Sequence, residues 1–182
     1  ILFPATGCGV LQPAFEQGLL DTPWYMTDGV KDAGLASLCN LGTALDGMKG
    51  TAPGSAAGEA FDAFSAAYAE VSADGAGTFI FAPQAYDAVM LMAISAAANG
   101  VTGPEIASGL VAASSGGEKC IGVACIELAA NGVDVDYVGA SGEIELNEAG
   151  DPTAATYDIW TTEGDTNPVS YTHLTLPTSY AV

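Results

Sequence analysis

The side chains that could do chemistry in this sequence are mostly carboxylates, with four thiols and a single histidine. Asp and Glu number 22, Lys and Arg together number three, and His173 lies near the end of the chain. A histidine in that position offers no general base, catalytic triad or zinc ligand to the rest of the sequence. An enzyme would have to work through carboxylates, tyrosines or cysteines, and the acids form no paired cleft motif. We therefore expect a protein that is not an enzyme.

Two motifs resemble known cofactor and metal sites, and each lacks a residue that the site requires. Gly7-Cys8-Gly9 begins like a dinucleotide fingerprint, but Gln12 occupies the place of the third glycine. A second set has the spacing of positions 1, 3, 6 and 12 of a calcium loop: Asp134, Asp136, Gly139 and Glu145. Val138 stands at position 5, where a side-chain oxygen is needed. We expect no cofactor and no metal.

The four cysteines are Cys8, Cys39, Cys120 and Cys125, and none forms a CxxC pair. Cys120 and Cys125 are close enough in sequence to cross-link locally if the compartment is oxidising. Four cysteines allow three pairings, and the sequence does not choose among them. Buried free thiols remain an equally open alternative.

Composition excludes several classes of partner. The formal net charge is −19, and the sequence contains no arginine. A nucleic-acid binder needs a basic face for phosphate, and an anionic membrane surface repels such a chain. With 49% hydrophobic residues the chain is not a disordered acidic tail. Its longest apolar stretch, Ala88–Ala98, is far shorter than the roughly 18 residues of a membrane span.

Strand and helix patterns alternate along the chain, as in a parallel α/β sheet. Ile1–Phe3 predicts a strand, Pro4–Gly7 a turn, and the following apolar spacing a helix that ends near Gly18. Trp24–Met26 predicts a second strand, with a loop at Thr27–Gly29. The fold class predicted from this order is α/β.

Further elements follow in the same way. Predicted helices cover Asp32–Leu41, a stripe of Phe61, Phe64, Tyr68 and Val71, a buried segment Ala85–Ala98, a helix opened by Thr102–Glu105, and Ile121–Ala130. Thr51–Gly58, rich in Gly, Pro, Ser and Ala, predicts a crossing segment or hinge. Gly142–Leu146 and Ala155–Trp160 predict a hairpin joined by the turn Asn147–Asp151.

The last 17 residues, Thr166–Val182, differ in composition from the rest because they contain no Asp, Glu, Lys or Arg. No helical or strand period persists there. The segment resembles translated adapter or vector read-through, and we exclude it from the fold prediction. A native flexible tail is the alternative.

Several segments, in order, resemble the type I periplasmic solute-binding proteins of the branched-chain amino-acid ABC transporter class. They are Pro23–Asp32, Gly50–Gly54, Phe61–Tyr68, Ala85–Val89, Gly132–Gly142 and Tyr157–Trp160. No single segment is diagnostic, and the signal is their shared order across residues 1–163.

The resemblance implies an incomplete two-lobed fold in which each lobe is a parallel sheet flanked by helices. Residues 1–50 would belong to the C-terminal lobe, 51–138 to the N-terminal lobe, and 139–165 to the C-terminal lobe again. Residues 166–182 would be the tail, and roughly the first half of the protein would be missing. Such proteins close their lobes on a ligand without performing chemistry.

The resemblance also implies a ligand site at the carboxyl ends of strands. Asp28 would take the α-ammonium group of a ligand, with Thr27 beside it in the Thr-Asp-Gly turn. The alternative is that Asp28 caps a helix beginning near residues 31–32. Thr6 and Gly7, placed at the end of the first predicted strand, would face the same cleft.

Phe81 is the fifth candidate contact, because the family can present an aromatic residue to the ligand just before the buried helix. The alternative is a plain core phenylalanine. Tyr86 and Asp87, which follow it, are interpreted as packing and capping residues.

The function implied is capture of an amino acid or similar small polar ligand for an ABC importer, with its permease as partner. We expect a periplasmic or extracytoplasmic location, although no signal peptide lies within these residues. A ligand-sensing regulatory module of the same fold is one alternative. An unrelated α/β enzyme is another, and it lacks any motif.

Overall fold

The computed structural model describes residues 4–72 and 80–172, and the chain divides into two compact units. The first contains the residues up to Gly54 and again those from Tyr157, and the second contains Ser55–Thr156. The chain passes from the first unit to the second between Gly54 and Ser55, within the predicted crossing segment Thr51–Gly58, and returns between Thr156 and Tyr157. The lobe boundaries that the resemblance implies, at 50/51 and 138/139, stay predictions.

Within its described residues, the first unit is a four-stranded sheet with two helices. Its elements are α1 (Pro4–Glu16), β1 (Tyr25–Met26), α2 (Leu35–Leu38), β2 (Lys49–Pro53), β6 (Tyr157–Thr161), β7 (Val169–Thr172) and two 3₁₀ turns, Leu19–Asp21 and Asp28–Val30. The strand order is β1-β2-β6-β7. The β1–β2 pair is parallel, and the β2–β6 and β6–β7 pairs are antiparallel.

The start of this unit corrects one prediction and confirms two. The predicted turn at Pro4–Gly7 is wrong, because these residues form the first turn of α1, where a proline needs no amide hydrogen. The helix does end before Gly18, whose left-handed backbone (φ 68°) suits a glycine. The predicted strand at Trp24–Met26 is present as β1. The strand predicted at residues 1–3 lies outside the described residues.

The core of the first unit gathers around Trp160, which is fully buried in β6. Leu11 from α1, Val30 from the second 3₁₀ turn, and Leu45 pack into the same cluster. Each such side chain contributes roughly 1.5–3 kcal/mol through burial. Gly50 permits this packing, because a Cβ on it would lie 2.3 Å from Trp160 Cζ2.

The second unit consists of four helices and a small sheet within its described residues. Its elements are α3 (Glu59–Val71), α4 (Ala82–Asn99), α5 (Gly103–Ala113), β3 (Glu118–Cys120), α6 (Ala124–Ala130), β4 (Val135–Gly139) and β5 (Gly142–Glu143). β3 pairs with β4 in parallel, and β4 pairs with β5 antiparallel. The periodic helices of the sequence analysis are all present here. α5 begins as predicted, with the Glu105 carboxylate accepting hydrogen bonds from the amide and hydroxyl of Thr102.

Two predictions for this part of the chain are wrong. The hairpin between Gly142–Leu146 and Ala155–Trp160 does not form, because β5 pairs with β4 and β6 lies in the first unit's sheet. An isolated bridge between Leu146 and Pro152 remains of it. α4 was predicted to be apolar and buried on nearly every side, but Val89 is 59% exposed.

The segment after residue 165 also differs from its prediction. No strand period was detected there, yet β7 pairs antiparallel with β6. Backbone hydrogen bonds form a strand regardless of side-chain period, so the pattern alone missed it. Residues 173–182 lie outside the described residues, and the origin of the tail stays a prediction.

Candidate ligand-binding site

Asp28 lies at the carboxyl edge of the parallel β1–β2 pair. Strand β1 ends at Met26, Thr27 continues in an extended conformation, and Asp28 opens the 3₁₀ turn that follows. Val30, the last residue of that turn, is fully buried and anchors it in the core. The loops that follow parallel strands meet at one edge of a sheet, where open α/β folds bind ligands. The sequence prediction placed Asp28 at such an edge, and the described fold does so as well.

The Asp28 carboxylate has no hydrogen-bond or ion-pair partner within residues 4–72 and 80–172, and the residue is half-buried. Asp28 does not cap the helix that follows, because the N-cap of α2 is Gly34 and it has no side-chain cap. Asp32 Oδ1 accepts a hydrogen bond of 2.7 Å from the Gly34 amide, immediately before α2. The charge of Asp28 is therefore not paired with any group of the described residues.

Lys31 and Asp158 form an ion pair that sequence reasoning did not identify. Lys31 Nζ lies 3.2 Å from Asp158 Oδ2, and the two side chains are only 15% and 14% exposed. Asp158 stands in β6 opposite Ala52, close to the end of β2. Both residues lie within segments that carried the family resemblance, but they are 127 positions apart, so no local pattern could pair them.

Gly54 lets the Asp158 carboxylate approach the end of β2. A Cβ at position 54 would lie 2.6 Å from Asp158 Oδ1, which is closer than such contacts allow. That oxygen is buried and accepts no hydrogen bond in the described residues. An unsatisfied buried acceptor costs free energy, and the pairing of Oδ2 with Lys31 offsets part of that cost.

Thr6 and Gly7 are not at the end of a strand, so their predicted placement is wrong. Both lie in the first turn of α1, where Thr6 is exposed and Gly7 is buried. α1 packs against the 3₁₀ turn Asp28–Val30, and Leu11 and Val30 share a core cluster. The misplacement came from interpreting Pro4 and Gly7 as turn residues.

Phe81 belongs to the second unit and directly precedes α4. It is 49% exposed, so the alternative of a plain core phenylalanine is not what the structure shows. Its backbone is left-handed, with φ 62°, and this is uncommon for a bulky residue. Such a conformation costs of the order of 1–3 kcal/mol and is concentrated at functional positions.

Asp87 in α4 is the most heavily bonded carboxylate of the second unit among the described residues. It is 2% exposed and accepts four hydrogen bonds, from Tyr137 Oη (2.8 Å), Ala140 N (2.7 Å), Ser141 N (2.8 Å) and Ser141 Oγ (2.6 Å). Burial, and secondarily the Asp87 charge, raises the pKa of Tyr137. Asp87 thus joins α4 to the turn between β4 and β5 rather than capping its own helix.

Disulfides pair all four cysteines. One joins Cys8 in α1 to Cys39, and the other joins Cys120 at the end of β3 to Cys125 in α6. The second is the local pair that the sequence analysis considered. The first links α1 to the residue that follows α2, and its two cysteines are 31 positions apart in sequence.

Across residues 4–72 and 80–172, no three His, Cys, Asp or Glu side chains come together as a metal site would require. Within the same ranges, none of the helices has the length and hydrophobicity needed to span a bilayer.

Comparison with known proteins identifies the relatives of this chain. A family model described as the receptor family ligand binding region matches residues 8–165. No curated protein sequence is significantly similar. Among solved structures, the leucine-binding protein LivK from Thermotoga maritima matches with a TM-score of 0.61 and 18% sequence identity. The match covers 94% of this chain and 42% of that one, so this chain spans less than half the length of LivK.

Proposed function

Because this chain belongs to the receptor family ligand binding region family, we propose that it is part of an extracytoplasmic solute-binding protein serving an ABC importer. The α/β fold with parallel strands is that of the type I periplasmic binding proteins, as the likeness to LivK shows. The proposed ligand is an amino acid or a similar small polar molecule. The proposed action is binding without chemistry, and the proposed partner is the importer's permease.

The observation that carries this proposal is the unengaged Asp28 carboxylate at the edge where β1 and β2 end. A half-buried carboxylate without a partner favours a cationic group supplied from outside, such as an α-ammonium. The neighbouring Lys31 does not compete for Asp28, because its charge is already paired with Asp158. The two charges of that pair compensate each other, and the Asp28 charge has no partner among the described residues.

The remaining predicted contacts receive unequal support. Thr27 stays in the proposal because it is adjacent to Asp28 and follows the same strand. Phe81 stays because its side chain is half exposed and its backbone is strained. Gly7 is buried within α1 and Thr6 lies beside it, so for both we propose support of the Asp28 turn through packing, in place of ligand contact.

An extracytoplasmic location is supported by the cysteines. Disulfides persist in oxidising compartments and are rare in the cytosol. Here every cysteine of the chain is in a disulfide, including a pair that bridges 31 positions.

A sensory module of the same fold is the second candidate, and the description of the family as a receptor region favours it. The two candidates share the ligand site and differ in the partner. Permease and ATPase genes beside the gene for this chain would favour import. A neighbouring signalling gene, without a permease, would favour sensing.

The ligand is tested with the full-length protein that carries these residues and a panel of amino acids and small amides. Binding to the native state stabilises a protein by RT ln(1 + [L]/Kd), which is about 2.7 kcal/mol at one hundred times Kd. We expect one class of amino acid to raise the melting temperature. Its carboxylic-acid analogue, which lacks the amine, should not. A panel without any shift would contradict the proposed function.

A further inference from the structure

The second unit contains a cleft at the carboxyl edge of its own parallel strands. β3 and β4 run in parallel, with Cys120 opposite Tyr137, and the chain leaves both strands on the same side. The segments that follow, Ile121–Ala124 after β3 and Ala140 after β4, line this cleft. Carboxyl edges of parallel strands are where α/β proteins place ligands. Neither the family match nor the role proposed for Asp28 assigns anything to this cleft.

Small residues create the space. α3 contributes Ala60 and Ala63, and the loop after β3 contributes Gly122 and Ala124. The cavity measures about 220 Å³. An engineered cavity of about 150 Å³ admits benzene, so this one has room for a six-membered ring. Two of the lining segments are held in place. The disulfide Cys120–Cys125 closes the loop after β3, and Asp87 accepts a hydrogen bond from Ala140 in the turn after β4.

Two tyrosines, Tyr86 and Tyr137, are among the residues that line the cleft. Tyr137 Oη already donates to Asp87. Tyr86 Oη has no hydrogen-bond partner among the described residues, while the Tyr86 ring is held against Phe64 at 5.3 Å. Burial, reinforced by the adjacent Asp87 charge, raises the pKa of Tyr86, so this hydroxyl stays protonated and can donate.

We propose that this cleft binds a small neutral molecule with an apolar ring or branched body and one carbonyl or hydroxyl oxygen. The oxygen accepts a hydrogen bond from Tyr86 Oη, and the apolar body lies among Ala60, Ala63 and Ala140. Charged ligands are disfavoured because none of the described residues that line the cleft has a charged side chain. An anion would also meet the nearby Asp87 charge, and none of these lining residues offers a cation in return.

The proposal is tested with cyclohexanone as the probe, in amide-resolved NMR titrations of the same protein. We expect saturable shifts at the amides of Gly122, Ala124 and Ala140. Cyclohexanecarboxylate, a charged compound of similar size, should produce none. Absence of saturable shifts with cyclohexanone, or equal shifts with the carboxylate, would overturn the proposal.

Two pairs of variants locate the probe. Ala63→Leu fills the cleft and should weaken cyclohexanone binding at least fivefold, whereas Ala66→Leu, at a position of the same helix that does not line the cleft, should not change it. Tyr86→Phe removes the donor and should weaken binding about 2- to 10-fold, the range of one neutral hydrogen bond. Tyr68→Phe is its control. Equal effects within either pair would refute the assigned position.

The outcome is separable from that of the proposed function. Asp28→Asn should leave cyclohexanone binding unchanged, because Asp28 belongs to the first unit and is not among the lining residues. If the protein bound no amino acid but still bound cyclohexanone, the role proposed for Asp28 would be refuted and the role proposed for the cleft would stand. A loss of cyclohexanone binding in Asp28→Asn would contradict the independence of the two sites.

Discussion

Replacing Asp87 should destabilise the second unit more than any exposed carboxylate there. The side chain is almost fully buried, and its two oxygens receive donors from Tyr137, Ala140 and Ser141. In Asp87→Ala four donors lose their acceptor: the hydroxyls of Tyr137 and Ser141 and the backbone amides of Ala140 and Ser141. At about 1–2 kcal/mol for each unsatisfied group, the expected loss is about 4–8 kcal/mol.

Asp87→Asn separates charge from shape. One oxygen is kept, so two donors stay satisfied, but the new amide group faces the Ser141 amide, which is itself a donor. The expected loss is about 2–4 kcal/mol, since the charge-assisted bonds also weaken. Glu148→Gln removes one negative charge from an exposed turn of the same unit, and it should change stability by less than about 0.5 kcal/mol.

Urea unfolding distinguishes these cases. Both tryptophans, Trp24 and Trp160, belong to the first unit, whereas most of the helical residues lie in the second, in α3, α4, α5 and α6. Far-UV circular dichroism therefore reports mainly the second unit. With a slope of about 2 kcal/mol per M, Asp87→Asn should lower the midpoint by about 1–2 M. A midpoint as high as that of Glu148→Gln would refute the assignment of these hydrogen bonds.

Three further predictions concern stability. Because its pKa is raised on folding, Tyr137 contributes stability that is fully present below the ordinary tyrosine pKa near 10 and declines as the pH rises above it, by about 1.4 kcal/mol per pH unit. Tyr137→Phe should make the free energy of unfolding, measured with urea, fall less steeply with pH between pH 10 and about 11.5. An unchanged dependence on pH would be inconsistent with the burial of Tyr137. The double variant Cys8→Ser and Cys39→Ser should lose about 3–4 kcal/mol, from a loop of 31 positions, and a loss under about 1 kcal/mol would argue against this pairing. Gly50→Ala should lower the free energy of unfolding by about 1–3 kcal/mol, because the new methyl group overpacks against Trp160. Gly9→Ala, in an open part of α1, should raise it by about 0.5–1 kcal/mol in the same assay. The reverse order would contradict the packing of β2.

Local periodicity was sufficient to predict several elements. The stripe containing Phe64 and the cap residues around Thr102 predicted α3 and α5, since such signals involve residues only three or four positions apart. The position of Asp28 at a strand end followed from the strand Trp24–Met26 and the turn after it. These features depend on short stretches of chain.

Features that depend on distant pairing were not predicted. β6 finds its partner in β2, with Lys49 opposite Thr161, and no local pattern could replace the expected hairpin by that pairing. The Lys31–Asp158 ion pair and the choice among cysteine pairings have the same origin. Each is fixed by packing between segments that are far apart in sequence.

The central claim is that Asp28 binds the ammonium group of an amino acid, and calorimetric titration tests it most directly. The ligand is the amino acid with the largest thermal shift, and the proteins are the wild type, Asp28→Asn and Asp21→Asn, an exposed control in the same unit. Loss of a charge-assisted hydrogen bond predicts an affinity about 10- to 100-fold lower for Asp28→Asn. The control should bind as the wild type does. Equal affinity in Asp28→Asn and the wild type would contradict the account.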